Sequence, residues 1–111
     1  MKKIAIPTIK GVLCPHFGQC EAFVIITIEN DSIIREERLE PPLHQPGVYP
    51  KWLHELGVTE IIAGGMGQKA KVIFEQNGIQ VRLGVEPRPA KQAVEELMLS
   101  RLETGENLCD H

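Results

Sequence analysis

The segment Cys14-Pro15-His16-Phe17-Gly18-Gln19-Cys20 sets two thiols and an imidazole within seven residues. Thiolate and imidazole are the ligands that hold zinc, copper and iron–sulfur centres. The spacing C-x-H-x3-C closes no standard zinc site by itself, so its weight comes from position: it follows a run that reads as a first β-strand. His16 and Cys20 are candidate metal ligands, and Cys14 is a candidate third. Each has a structural alternative, because a free cysteine is often a small buried hydrophobe and a loop histidine is often solvated. Pro15 biases Cys14 toward an extended backbone, as a ligand or as an exposed thiol. Phe17 reads as a packing residue.

Three other places carry candidate chemistry. Gly64-Gly65-Met66-Gly67 runs into a predicted helix, and glycines there allow close backbone approach while free N–H groups at a helix start attract anions. These four are candidate cofactor-binding residues. The turn lacks the Lys-Ser/Thr of a P-loop and does not match G-x-G-x-x-G, so a tight strand-to-helix connection is the equal alternative. Lys69 and Lys71 add positive charge nearby. His44 lies in the stiff loop Pro-Pro-Leu-His-Gln-Pro-Gly, as a further ligand or as a surface histidine. The ending Cys109-Asp110-His111 repeats the Cys-x-His of Cys14-Pro15-His16, and two such pairs can build a Cys2His2 zinc site. Tyr49 and Trp52 read as packing a helix rather than binding bases, and His54 as structural.

The elements that must position these residues follow from hydrophobic pattern and turn signals. Lys3 to Thr8 reads as a strand stopped by Pro7 and Gly11, Phe23 to Ile28 as a second, and Ile33 to Leu39 as its hairpin partner across a Glu29–Ser32 turn. Glu40 to Gly47 carries three prolines and reads as a loop. Val48 to Leu56 predicts a short helix closed by Gly57, Thr59 to Ala63 a buried strand, and Gln68 to Asn77 a helix capped by Gly78. Ile79 to Arg82 is a last strand, and Pro89 to about Leu102 the longest helix. The order βββ-α-β-α-β-α predicts an α/β fold: a mixed five-stranded sheet, antiparallel in its first half, with helices on both faces.

That topology sends the loops Ile9–Cys20, Glu40–Gly47, Gly64–Gly67 and Leu83–Arg88 to one carboxyl edge, where open α/β sheets bind ligands. Cys14, His16, Cys20, His44 and the glycine turn are therefore expected around one crevice. Residues 1–102 read as a single domain and Glu103 to His111 as a polar, flexible tail. The last helix carries the chain roughly 20 Å from that edge at 1.5 Å per residue. Nine extended residues can span roughly 30 Å and return, but at an ordering cost.

Composition fits one compact, soluble, cytoplasmic domain, with 111 residues, 42% hydrophobic and 24% charged. A net charge of −3 argues against nucleic acid as a partner. No apolar run approaches the roughly 18–20 residues that span a bilayer, and the start Met1 to Pro7 is too short a stretch for a signal peptide. Three cysteines form an odd count, which favours reduced thiols over a disulfide framework. The first strand carries no Asp or Glu for a two-metal nuclease, and no nucleophile elbow is present, so an enzyme is not expected.

Taken together, Ile4-Ala5-Ile6-Pro7, His16-Phe17-Gly18-Gln19-Cys20 with Phe23, Pro50-Lys51-Trp52-Leu53 leading to Leu56-Gly57-Val58, Ile61 to Gly67, and Gly78-Ile79-Gln80-Val81 are familiar in order and spacing. From about residue 2 to 102 the chain resembles the dinitrogenase iron–molybdenum cofactor biosynthesis family. The resemblance implies a ribonuclease H-like fold. It also implies a carrier or scaffold, not a catalyst, for an anionic metal–sulfur cluster such as an iron–molybdenum cofactor precursor or a molybdenum–copper sulfide. A cluster-donating or cluster-accepting protein is the implied partner. His16 and Cys20 map onto the family's histidine/cysteine motif. The alternative is a zinc- or redox-responsive module without a cluster, built from Cys14, His16, Cys109 and His111.

Overall fold

The computed structural model describes residues 1–16, 20–42, 48–102, 104 and 105. Strands β1 (Lys2–Ile9), β2 (Val12–Leu13), β3 (Ala22–Glu29) and β4 (Ser32–Leu39) come first. Helix α1 (Val48–Glu55), β5 (Glu60–Ile62), α2 (Gln68–Gln76), β6 (Gln80–Arg82) and α3 (Ala90–Met98) follow. The strands form one mixed sheet in the order β4-β3-β1-β5-β6, with β2 hydrogen-bonded to β1. β1 pairs antiparallel with β3 from Lys2↔Ile28 to Thr8↔Ala22, and β3 with β4. β1 with β5, and β5 with β6, are parallel.

The central strands are apolar on both sides because both faces are covered. On one face Ala5, Phe23, Ile25 and Ile61 pack with Leu53 of α1 and Phe74 of α2. On the other, Ile4, Ile6, Ile26 and Ile62 pack with Ala90, Ala93 and Val94 of α3. The helices after β5 and β6 thus leave to opposite faces, as expected. Among the described residues, no helix is long and apolar enough to cross a membrane.

Two differences from the sequence reading concern the site. The sheet has six strands, not five, because a hairpin at Lys10-Gly11 returns the chain as β2. Both turn residues take the left-handed conformation (φ +53° and +80°), the geometry of the tight turns that match strand twist. Pro7 does not end β1 but lies within it. The Lys3 carbonyl accepts the Thr59 N–H, so alternate residues Lys3, Ala5 and Pro7 face β5. Pro7 has no N–H to offer there, and the β1–β5 pairing runs only over Ile4 and Ala5. Beyond that point β1 parts from β5 and takes up β2, with Thr8 opposite Leu13.

Candidate functional site

The divergence of β1 from β5 is where the cysteine segment is fastened. The Cys14 N–H donates to the Pro7 carbonyl at 2.9 Å, and the Glu21 N–H donates to the Thr8 carbonyl at 2.9 Å. Cys14 and Glu21 are therefore held on two consecutive carbonyls of β1, one on each side of the strand. On the α3 face the segment is pinned again: the Leu13 N–H donates to the Arg88 carbonyl, and Val12 bridges Pro89.

Cys14 is 1% exposed, and its thiol donates to the His16 carbonyl at 3.0 Å. Cys20 is half-buried against the core that lies under α1 and α2. Burial pushes the Cys20 thiol up to about 11; the charge of Cys14 adds to that rise, and a backbone hydrogen bond at Cys20 offsets part of it. Tyr49, in the first turn of α1, is shifted upward by burial and then by the charge of Cys20. Cys14, Cys20 and Tyr49 thus share one electrostatic neighbourhood. Tyr49 and Trp52 both meet the Phe23 ring edge-on, at 5.4 and 5.6 Å between centroids, so their expected packing role stands. The influence of the Cys20 charge on Tyr49 had no sequence signal, since the two lie 29 positions apart in the chain.

The imidazole-bearing residue His16 is exposed. Among the described residues, no three of His, Cys, Asp and Glu are grouped so as to hold a metal ion, so Cys14, His16 and Cys20 do not by themselves form a closed ligand set. His44, Cys109 and His111 lie outside the described residues. Gly64, Gly65 and Met66 are buried, with Met66 in the core, and Gly67 is exposed at the start of α2 with no side-chain cap.

The neighbouring loop carries a feature not expected from sequence. The Gly84 N–H donates to the Gly64 carbonyl at 2.9 Å, and the Gly105 N–H donates to the Leu83 carbonyl at 3.2 Å. Residue 105 is therefore already back at the carboxyl end of β6. Such an early return was not expected, because the last helix was read as running to about Leu102 when it ends at Met98. A cavity of about 660 Å³ opens at the other end of the sheet between Lys2, Ile28, Arg82 and Met98, and the described residues of its wall include no cysteine or histidine.

The fold and sequence both have relatives. An uncharacterized protein of Methanocaldococcus jannaschii is 40% identical over 86 residues, 73% of either chain. The crystal structure of PH0822 superposes with a TM-score of 0.85 at 25% identity, over 96% of this chain and 98% of that one. The apo form of the orange protein from Desulfovibrio gigas shares the fold, with a TM-score of 0.76 at 22% identity over 96% and 95% of the two chains. The dinitrogenase iron-molybdenum cofactor family model matches residues 1–100, and the chain belongs to that family.

Proposed function

We propose that this chain binds and carries an anionic metal–sulfur cluster at the carboxyl edge of its sheet, as cargo rather than as a catalytic centre. The observation that carries this reading is the fastening of Cys14 and Glu21, which bracket His16 and Cys20 in the chain, to consecutive β1 carbonyls where β1 and β5 part. That is the switch point at which open sheets of this class take ligands, in a chain of the iron-molybdenum cofactor family.

The donor set suits such a cargo. Soft thiolates at Cys14 and Cys20 and the His16 imidazole match cluster metals, whose remaining valences are filled by the cluster's own sulfides. A carrier must also release what it holds, which favours few protein ligands in an accessible segment. The start of α2 at the exposed N-cap Gly67, which has no side-chain cap, suits a sulfide acceptor. His44, singled out by its sequence, is a further candidate ligand. The cluster is an iron–molybdenum cofactor precursor or a molybdenum–copper sulfide, received from and passed to protein partners in a reducing cytoplasm. The antiparallel β4-β3-β1 half beside the parallel β5-β6 half is read as ribonuclease H-like.

The test is anaerobic reconstitution with iron, sulfide, thiomolybdate and copper, followed by metal analysis and absorption spectroscopy. Wild type is expected to take up stoichiometric metal with charge-transfer bands, and His16→Ala/Cys20→Ser is expected to lose both. Equal uptake by the double variant sinks the assignment.

A further inference from the structure

We propose that the cavity at the end of the sheet where β1 begins binds a single-chain carboxylate, its head on Arg82 and its apolar chain beside the end of α3. This goes beyond the carrier reading and does not depend on it. The cavity holds about 660 Å³, a volume within the range of small-molecule sites. Side chains alternate along a strand, so Lys2 and Ile4 share the α3 face of β1, and Ile28 of β3 stands opposite Lys2. Helix α3 ends at Met98, and Ser100 turns the chain there at φ +56°. Ile28, Leu97, Met98 and Leu102 are only half-buried against the core under α3, and all four stand in the cavity wall. Leu99, in the same wall, is 63% exposed and with Met98 also lines an adjoining cavity of about 390 Å³. A ligand with an apolar chain gains by covering these side chains.

Charge then decides the head group. Glu60 is the one carboxylate that Lys2 and Arg82 share, so this pair of cations carries a surplus positive charge. Arg82 gives its Nε to Glu60 at 2.9 Å, and its Nη1 and Nη2 have no partner among the described residues. Both Lys2 and Arg82 line the cavity. The free Nη1/Nη2 edge of a guanidinium matches the two oxygens of a carboxylate, which it holds bidentately. Asp31, the exposed carboxylate of the wall, opposes a second negative charge on the ligand. The combination selects a monoanion with an apolar chain over a phosphate, an amine or an uncharged alcohol.

Titration of the full chain with octanoate below its micellar range tests this, followed by calorimetry and by amide NMR shifts. Octanol, octylammonium and acetate are the comparators. Octanoate is expected to bind one-to-one, with shifts concentrated at Lys2, Ile28, Arg82 and Leu97 to Leu102. Octanol should bind about 10- to 100-fold more weakly, because it lacks the charge-assisted bonds to Arg82. Acetate, without the chain, should not saturate. Arg82→Lys keeps a cation beside Glu60 but loses the fork, so it should weaken octanoate about 10-fold. Leu99→Gln changes a side chain that is already mostly in water, so folding is not at stake, and it should weaken octanoate about 3- to 10-fold. No saturable octanoate binding, octanol or octylammonium bound as tightly as octanoate, or shifts concentrated elsewhere in the chain overturns the inference. A dimer in sedimentation that Leu99→Gln dissociates also overturns it, since this face would then be a contact between two copies. A protein that takes up cluster but no octanoate loses this inference and keeps the carrier reading.

Discussion

Cys20 shows how a single residue's surroundings set its chemistry. The thiolate is the reactive form, and burial together with the neighbouring Cys14 charge holds the Cys20 thiol up at about 11. Site-resolved alkylation of the apo protein with iodoacetamide should therefore be slow at Cys20 at pH 8 and accelerate as pH rises toward 11. Saturation of the rate near pH 8 would mean that Cys20 is not shielded as the structure places it. The sign for stability is the same: a thiol raised from 9.0 in the folded state contributes stability that is present below pH 9 and lost as pH climbs through about 11. A second residue makes a simpler case. The Thr27 hydroxyl is buried, and no hydrogen-bond partner for it stands among the described residues. Valine has nearly the same shape without the orphaned group, so Thr27→Val should raise stability by about 1 kcal/mol, read from the urea midpoint at unchanged slope.

Helix ends explain which elements were legible in the sequence. α1 and α2 both finish with a glycine in the left-handed conformation, Gly57 and Gly78. Each end is sealed by the same pair of bonds, Gly57 N–H to His54 with Val58 N–H to Leu53, and Gly78 N–H to Glu75 with Ile79 N–H to Phe74. Glycine announces that motif, so both helices were placed to within a residue or so. α3 closes by the same motif, Ser100 N–H to Leu97 and Arg101 N–H to Glu96, but with Ser100 at φ +56° in the glycine position. Serine carries no such signal, and the apolar spacing through Leu102 drew the predicted helix too long. β2 was missed for a related reason, since two residues cannot show a period. Ser100→Gly should stabilise the protein by about 1 kcal/mol by relieving the left-handed strain. A fall in melting temperature for that variant would show that the Ser100 side chain contributes more than its backbone costs.

At the scale of the whole molecule, the sheet has a carboxyl edge, where the cysteine segment lies, and a tied edge. The placement of that carboxyl edge was legible because strand order alone sends the cysteine segment and the glycine turn to the same end. Its fine structure was not, since the Pro7 carbonyl bond, the Tyr49–Phe23 ring contact and the Gly84–Gly105 contact depend on pairings between distant residues. The tied edge is held by Glu60, buried at the start of β5, which pairs with Lys2 of β1 and with Arg82 of β6, the latter at 2.9 Å. Three strands, two of them β1 and β5 on either side of the site's divergence, are joined through one carboxylate. Burial alone would raise the Glu60 carboxyl, but the hydrogen bonds and charges of Lys2 and Arg82 outweigh it and hold it below its ordinary value of 4.5. A carboxyl lowered in the folded state contributes stability that is present above its unfolded value and lost as pH falls through the folded one. Glu60→Gln should therefore cost about 1–3 kcal/mol at pH 7, because it leaves the Arg82 guanidinium without its charged partner. The gap between wild type and variant should close as pH falls below the ordinary carboxyl value of 4.5 and on through the lowered folded value. Urea unfolding of both proteins from pH 7 to pH 3 reads this directly, and a gap that stays constant across that range would assign Glu60 a packing role instead of an electrostatic one. If Glu60 braces the sheet so that β1 and β5 can part at the opposite end, the variant should also lower metal uptake in the anaerobic reconstitution at pH 7 without any candidate ligand having been touched.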